Sequence, residues 1–424
     1  MARSSLLSDD LVRQLVAVGQ VDILVGLPTF NHAATAAVVV RTLHVGLARH
    51  FPRERTVLIN PDGGSDDGTV DLVRNAPMAD EEMRGSSSLR TTHRVSATYP
   101  GLPGRAGGVR TVFAAADLLQ ARAVVLIDAD VSSMTPDWVA ELARPVWNDE
   151  AELVLPIHPR HRYDGPLLSQ LVRPLLGTVY ARPLQSSLAG GFGCSGRLAA
   201  RMVSHPMWER ELTGPELAVW LVTTALAEAL RLIQVHLGPC MFGPRPARAG
   251  LREVFEQVVG TAFGCIERDA ATWLGRTEFR DAPSIGAPRE PAGAETPVDP
   301  APMAERFRTG VRDLAPLLRD ILRPATLARL HSAAAAGDAI PSIPDSLWVT
   351  TVYEFITSVR RGVMNREHLT QALVPLYLGR TASFFAEIAS AEPSVHEQRL
   401  AALEGEYRNL RPYLIEQWNH EGGR

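Results

Sequence analysis

The 424-residue sequence contains no lysine; all 43 of its basic side chains are arginine. That absence removes three chemistries. A Schiff base, a lysine general base and a phosphate-loop lysine all need an amine on a flexible stem, the first two with a lowered pKa. Phosphate, if bound, must be met by arginine, backbone N–H groups or a metal. Cysteine is scarce. Cys194, Cys240 and Cys265 are odd in number and lack metal-ligand spacing, which suits buried free thiols in a reducing cytosol. Long apolar runs are missing: Val124–Ile127 and Leu153–Ile157 fall short of the ~18 residues a membrane span needs. Met1 to Gln20 is charged and amphipathic without a signal-peptide core, so a cytoplasmic location and no membrane partner are expected. Excess positive charge is absent too. The 43 basic and 47 acidic groups leave −4, which argues against a dedicated nucleic-acid binder.

What is present is ordinary for a globular chain: 46% hydrophobic and 21% charged residues, with length for roughly two or three domains. Leu11, Leu15, Val16 and Val18 recur at helical spacing within 8–20. Val21 to Leu27 then reads as an apolar strand ending at Pro28, 33–50 as a helix, Thr56–Asn60 as a second strand, and Asp67 to Asn75 as another helix. Residues 84–109 are rich in Ser and Gly and read as a mobile loop. An Ala-rich helix at 110–121 and the strand Ala123–Ile127 follow. Such alternation implies an α/β fold with a parallel, doubly wound sheet, whose ligands sit at the carboxyl ends of its strands. A proline-rich stretch at 276–305 reads as a flexible linker, and 306–424 as all-helical, with Leu314, Leu317, Leu318, Ile321 and Leu322 repeating at helical spacing. The expected organisation is therefore a domain at 1–275 (halves at about 20–150 and 151–275), a linker, and a helical domain at 306–424.

Three strand ends carry chemistry: Pro28-Thr29-Phe30-Asn31, Asp62-Gly63-Gly64-Ser65-Asp66-Asp67-Gly68-Thr69 and Asp128-Ala129-Asp130. Two carboxylates one residue apart at the end of a buried strand suit Mg²⁺ or Mn²⁺, bridging a diphosphate. The same tripeptide also suits a solvated turn in which Asp130 caps the next helix. Asp-Gly-Gly-Ser is turn chemistry, and Asp66 or Asp67 suits a helix N-cap. Asp62 precedes the tightest part and is expected to stay free for a base or ribose.

In their order and spacing these motifs resemble GT-A-fold nucleotide-sugar glycosyltransferases. Asp128-Ala129-Asp130-Val131 with Pro136-Asp137-Trp138, Leu171-Val172-Arg173-Pro174-Leu175-Leu176, Gly214-Pro215-Glu216-Leu217, Gln234-Val235-His236-Leu237-Gly238 and Leu376-Tyr377-Leu378-Gly379-Arg380 narrow the likeness. They look like the mannosylglycerate, glucosylglycerate and glucosyl-3-phosphoglycerate synthases, from about residue 20 to 420. The resemblance implies a GT-A sheet with a helical carboxyl-terminal extension. It implies transfer of a hexose from a GDP- or UDP-sugar to a glycerate-like hydroxy acid, with retention to an α-glycoside, and a homodimer built partly by the helical tail.

Residue by residue, the resemblance puts Pro28, Thr29 and Asn31 at the nucleotide, Asp62 at the base, Asp128 at ribose or metal and Asp130 at the metal. The family's lysine in a Pro-Gly-Lys-Gly stretch falls at Arg105, which would clamp the diphosphate with a fork rather than a point charge. Arg160 and Asp164 match the acceptor pair of the mannosylglycerate type. Glu216 matches an acid that positions acceptor or sugar hydroxyls, and equally suits the positive end of a helix. The phosphoglycerate type's Gly-Arg-x-Thr becomes Gly165-Pro166-Leu167-Leu168, which speaks against a phosphorylated acceptor bound in the usual way. The family's third metal ligand, a histidine, falls on Phe242, which cannot ligate. His158 or His161 could substitute from the other side; otherwise the metal is held weakly by two carboxylates plus water, or metal use is lost and arginine takes over, or catalysis is lost. Two alternatives therefore stand beside the glycerate reading: the same fold acting on another specialised metabolite, and a nucleotide-sugar-binding protein without turnover.

Overall fold

The computed structural model describes residues 6–77, 92–99, 104–209, 214–244, 250–335, 337 and 339–420. Helix α1 (Asp9–Val18), capped by the Ser8 hydroxyl, precedes β1 (Ile23–Gly26). Then follow α2 (Ala36–His50), β2 (Thr56–Asp62), α3 (Thr69–Asn75), β3 (His93–Thr98), α4 (Arg105–Leu118), β4 (Ala123–Ile127), α5 (Asp137–Trp147) and β5 (Leu153–Ile157). Beyond it lie α6 (Arg173–Val179), β6 (Gly191–Ser195), α7 (Gly196–Val203), α8 (Pro215–Ala227), β7 (Leu232–His236), α9 (Leu251–Arg268), α10 (Ala270–Leu274) and β8 (Ser284–Ile285). Helices α11 (Ala301–Asp313), α12 (Ala315–Ile321), α13 (Pro324–Ala334), α14 (Asp345–Arg361), α15 (Arg366–Ile388), α16 (Pro393–Asn409) and α17 (Arg411–His420) complete the described chain.

The eight strands form one sheet in the order β3-β2-β1-β4-β6-β5-β7-β8. Only β6 runs antiparallel to its neighbours. This is the mostly parallel, doubly wound sheet that the alternation implied. β1 and β4 are wholly buried apolar runs, as strands covered on both faces must be. Ile23, Val25, Leu58, Val125 and Ile127 pack with Val39, Leu43 and Trp138 of the flanking helices in one core cluster. Strand order reverses between β1 and β4: β2 and β3 lie to one side, β4 and its successors to the other. A crevice for ligands is expected outside the carboxyl ends of those two strands.

Two local expectations are corrected. Residues 93–98 are a strand rather than a loop, and α4 begins at Arg105 rather than 110. Among the described residues β3 is an edge strand bonded to β2 alone, so it keeps a polar composition that hides it. Residues 78–91 lie outside the described set. Within the stretch read as linker, Ser284 and Ile285 pair with β7, and the next helix starts at Ala301.

The chain forms two compact units. The first comprises 1–160, 185–248 and 282–292, and holds the sheet; the second comprises 161–184, 249–281 and 293–424, and is helical. In the second unit a π-helical turn at Leu168–Val172 runs into α6. Pro174 has no N–H to return to the Gln170 carbonyl. That oxygen instead accepts from the Trp348 indole N–H (2.9 Å) and the Tyr407 hydroxyl (3.2 Å). No described helix is long and apolar enough to cross a membrane.

Candidate functional site

At the end of β1, Thr29 is buried and bridges to Asp62. Its hydroxyl donates to Asp62 Oδ1 (2.7 Å) and accepts from Asn60 Nδ2 (2.8 Å), while Asn60 Oδ1 accepts from Ser96 (2.8 Å). Asn31 holds a left-handed backbone (φ 56°) that asparagine tolerates. Its N–H donates to the Ser65 hydroxyl, and its Oδ1 accepts from the Asp66 N–H.

Asp62 is not free. Oδ1 accepts from the hydroxyls of Thr29 and Ser65 (both 2.7 Å), and Oδ2 from the N–H groups of Gly64 (2.8 Å) and Ser65 (2.7 Å). Four donors fill the four lone-pair sites of a carboxylate. The expectation that Asp62 awaits a base is therefore corrected: it ties the second loop to the first. Asp67 does the same one turn on, accepting from Thr69 N–H and hydroxyl and from Ala33 N–H. Slight burial pushes its pKa up, and these bonds more than offset it, so the net shift is downward. An amide at position 62 has one acceptor atom where two are used. Asp62→Asn is expected to destabilise the first unit by about 1.5–3 kcal/mol, read as a lower urea midpoint, and to weaken nucleotide binding with it.

Arg105 is the first residue of α4. Its Nη2 lies 2.7 Å from Asp128 Oδ1, with the two side chains 27% and 14% exposed. Asp128 Oδ2 accepts from the Gly190 N–H (3.0 Å). The amino end of α4 has no side-chain cap and no acid in its first turn. It is held close to β1 and β3 by two small residues. A Cβ on Gly107 would fall 2.7 Å from the Tyr99 ring, and one on Gly108 2.6 Å from Pro28. The Tyr99 hydroxyl also accepts from the Gly104 N–H and donates to its carbonyl (2.8 and 2.7 Å). N–H groups without a side-chain cap among the described residues, the helix dipole and a guanidinium thus converge where the strand order reverses, an arrangement that favours an anion.

Asp130 is buried, and its carbonyl accepts from the Gly243 N–H (2.8 Å). Val131 and Phe242 form an antiparallel bridge. Phe242 therefore stands beside the Asp-Ala-Asp segment, and its phenyl ring has no atom that could ligate a metal. Among the described residues no three His, Cys, Asp or Glu side chains are grouped to hold a metal. His158 does not substitute. Its Nδ1 lies 2.7 Å from the Gly238 carbonyl and its Nε2 3.2 Å from the Ala189 carbonyl, and its ring packs at a tilt of 36° against Trp138, with centroids 4.8 Å apart. Burial pushes its pKa down. The donor set that remains, two hard carboxylates, fits Mg²⁺ or Mn²⁺ when diphosphate oxygens and water complete the shell.

Of the acceptor residues, Arg160 donates to the Ser187 carbonyl (3.0 Å) in the first unit. Asp164 belongs to the second, where it closes a turn on the His161 N–H (3.1 Å). Glu216 is buried in the first turn of α8 and accepts from the Gly214 N–H (3.1 Å). A Cβ on Gly214 would lie 3.1 Å from that of Arg105, so the amino ends of α4 and α8 meet. Sequence reasoning missed Tyr99 and Gly190, and left open a ligand role for His158 that its two carbonyl contacts do not support. The available signal for two of these was position: Tyr99 and His158 each follow the last residue of a strand, as Asp128 does.

No family model and no curated protein matches the chain. Among solved structures it is similar to glucosyl-3-phosphoglycerate synthase from Mycobacterium tuberculosis in complex with Mn²⁺, uridine diphosphate and glucosyl-3-phosphoglycerate. That match has 24% identity over 59% of this chain and 82% of the other, with a TM-score of 0.42. The complex of that enzyme with Mn²⁺, UDP-glucose and phosphoglyceric acid matches at 22% identity over 62% and 84%, TM-score 0.43. Its complex with Mg²⁺ and UDP matches at 22% over 60% and 83%, TM-score 0.43.

Proposed function

We propose that the chain is a glycosyltransferase that moves a hexose from a UDP- or GDP-sugar to a small glycerate-like hydroxy acid. The observation that carries the reading is the Arg105–Asp128 pair at the bare amino end of α4, in the crevice where the strand order reverses. A diphosphate suits that arrangement in charge and shape. Five N–H donors let one guanidinium hold Asp128 and an anionic oxygen together. The first-turn N–H groups of α4 add to the same cradle. Asp128 and Asp130 would hold Mg²⁺ or Mn²⁺ jointly with the diphosphate, and the cation would supply Lewis-acid stabilisation of the leaving group.

In this reading Pro28, Thr29 and Asn31 edge the nucleoside, with Asp62 keeping their loops in register. Arg160 offers the acceptor carboxylate a fork, and Glu216 positions hydroxyls beside Arg105. The chain's task is to place acceptor and donor together and to stabilise the departing charge. An acceptor hydroxyl attacking from the leaving-group face, as the bond to the diphosphate breaks and the hydroxyl proton passes to the departing diphosphate oxygen, then gives retention and an α-glycoside, and no separate protein base is required.

The test is direct. Incubate the protein with UDP- or GDP-hexoses and glycerate or 3-phosphoglycerate, with Mg²⁺, Mn²⁺ or EDTA, and measure nucleoside diphosphate release. Acceptor-dependent release is expected; nucleotide-sugar binding without release from any pair would overturn it. That outcome belongs to the second reading, a binding protein without turnover, which the phenyl ring beside Asp130 favours. Phe242→His separates the two further. It is expected to lower the metal concentration for half-maximal activity by roughly tenfold, or about 1.4 kcal/mol, checked by Mn²⁺ titration of the wild-type and variant proteins.

A further inference from the structure

We infer that Tyr99 is a positioning residue for Arg105: its hydroxyl fixes the residue that leads into α4, and so aims the guanidinium at the ligand. The inference rests on the proposed contact between Arg105 and a diphosphate, and extends it to a residue that acts through Arg105.

The start of α4 has little of its own to hold it. Gly104 precedes Arg105 and brings no side chain to cap the helix, and Gly107 and Gly108 follow in the first turn. Glycine leaves a backbone more freedom than any other residue, so outside contacts must fix this one. The helix's own bond there is long: the Gly108 N–H meets the Gly104 carbonyl at 3.4 Å. The Tyr99 hydroxyl supplies the firmer contacts. It donates to the Gly104 carbonyl at 2.7 Å and accepts from the Gly104 N–H at 2.8 Å. One phenol thus holds both polar main-chain groups of the residue next to Arg105.

Tyr99 is itself fixed from the other side. It is buried, and its main-chain N–H donates to the Asp62 carbonyl (3.1 Å). Its ring lies against Gly107 and its hydroxyl beside Gly63, where a Cβ would fall 2.9 Å from the hydroxyl oxygen. Burial pushes the phenol pKa up, the Gly104 carbonyl pulls it partly back, and the Asp62 charge adds to the rise. The hydroxyl therefore keeps the proton that it donates. Arg105 in turn reaches Asp128 at the end of β4. The phenol links the loop after β2 to the start of α4 and, through Arg105, to the end of β4. A guanidinium serves as a diphosphate fork only from the right point, and a misplacement of about 1 Å can cost roughly 10²-fold.

The experiment is a double-mutant cycle on the full chain: wild type, Tyr99→Phe, Arg105→Ala and the two changes together. Tyr99→Phe keeps the ring against Gly107 and removes only the hydroxyl, and melting curves check that each variant is folded. Calorimetric titration with UDP and GDP reads the ligand contact, and steady-state transfer reads turnover. Tyr99→Phe is expected to weaken nucleoside diphosphate binding roughly tenfold in the wild-type background, and less than about twofold where Arg105 is already alanine. In turnover it is expected to lower kcat/KM for the nucleotide sugar and to leave the acceptor KM unchanged. Losses that multiply in the double variant would overturn the inference, because the hydroxyl would then act independently of Arg105. So would wild-type binding by Tyr99→Phe, or an acceptor KM that rises as much as the donor term falls, the mark of a general loosening. A wild-type protein that binds neither nucleotide would defeat the nucleotide-sugar reading and this inference together. Binding without turnover would defeat the transferase reading alone, and the cycle in binding would still decide the role of Tyr99.

Discussion

Arg105→Ala is expected to lower kcat/KM for the nucleotide sugar by roughly 10²–10³-fold, the loss seen when one preorganised donor to a developing oxyanion is removed. The chain has no lysine to share the task, and the acid nearest Arg105 in the crevice is Asp128, 2.7 Å away. Removing the guanidinium has two consequences. The diphosphate loses its fork, and Asp128 keeps only the Gly190 N–H on its other oxygen. The second consequence alone would be a structural effect, so the two must be separated. In Arg105→Ala/Asp128→Asn the stranded charge is gone. If Arg105 serves only to neutralise Asp128, the double variant regains activity; if it serves the diphosphate, the double variant stays inactive. The second outcome is expected. Arg105→Lys is expected to recover part of the loss, because a point charge replaces the Coulomb attraction but not the paired geometry.

The same residue sets the balance between arginine and metal. Phe242 pairs with Val131 and offers no ligand atom, so in the proposed reading a cation would have few protein contacts and its hold would depend on the diphosphate. Chelation with EDTA is therefore expected to reduce turnover less than Arg105→Ala does. An EDTA loss larger than the Arg105→Ala loss would show that the metal dominates and that the arginine reading is wrong.

Much of this was visible in the linear sequence, for a physical reason. Parallel strands buried on both faces must be near-continuous apolar runs, and Ile23–Gly26 and Ala123–Ile127 are. The residues that follow such runs inherit the crevice, so Pro28, Thr29, Asp62, Asp128 and Asp130 stood out. What stayed hidden depends on partners far along the chain. Asp62 looks free until Thr29, 33 residues earlier, donates to it. Arg105 reads as a loop residue until Gly107 and Gly108 bring its helix against Tyr99 and Pro28. His158 looks like a spare ligand until two carbonyls meet its two nitrogens. After the π-helical turn at Leu168–Val172, the Gln170 carbonyl that Pro174 leaves open is used by Trp348 and Tyr407. No local pattern encodes those meetings.

The largest expected effect on stability lies at Arg380, whose side chain is 0% exposed. Its Nη2 meets Asp345 Oδ1 at 2.5 Å and its Nη1 the Ile343 carbonyl at 2.6 Å. Arg399 binds the same Asp345 through two contacts (3.1 and 3.2 Å) and Glu387 at 2.8 Å. Two arginines and two carboxylates thus share one site, fixing the turn before α14 onto α15. Burial lowers the proton affinity of Arg380, and Asp345 and Glu387 raise it. Breaking one member of a buried ionic set typically costs 3–5 kcal/mol, because the partner is left desolvated. Arg399 remains for both acids in Arg380→Met, so the low end applies. At about 3 kcal/mol this lowers the melting temperature of the helical unit by roughly 6–12 °C. Arg380→Lys is expected to recover little, since one ammonium cannot reach the carboxylate and the carbonyl with the same geometry. Arg380→Met/Asp345→Asn is expected to be milder than the sum of its parts, because the charge stranded by one change is removed by the other. Thermal melts of the three variants check this; additive losses, or a shift below 2 °C for Arg380→Met, would show that the cluster is ionic in appearance only.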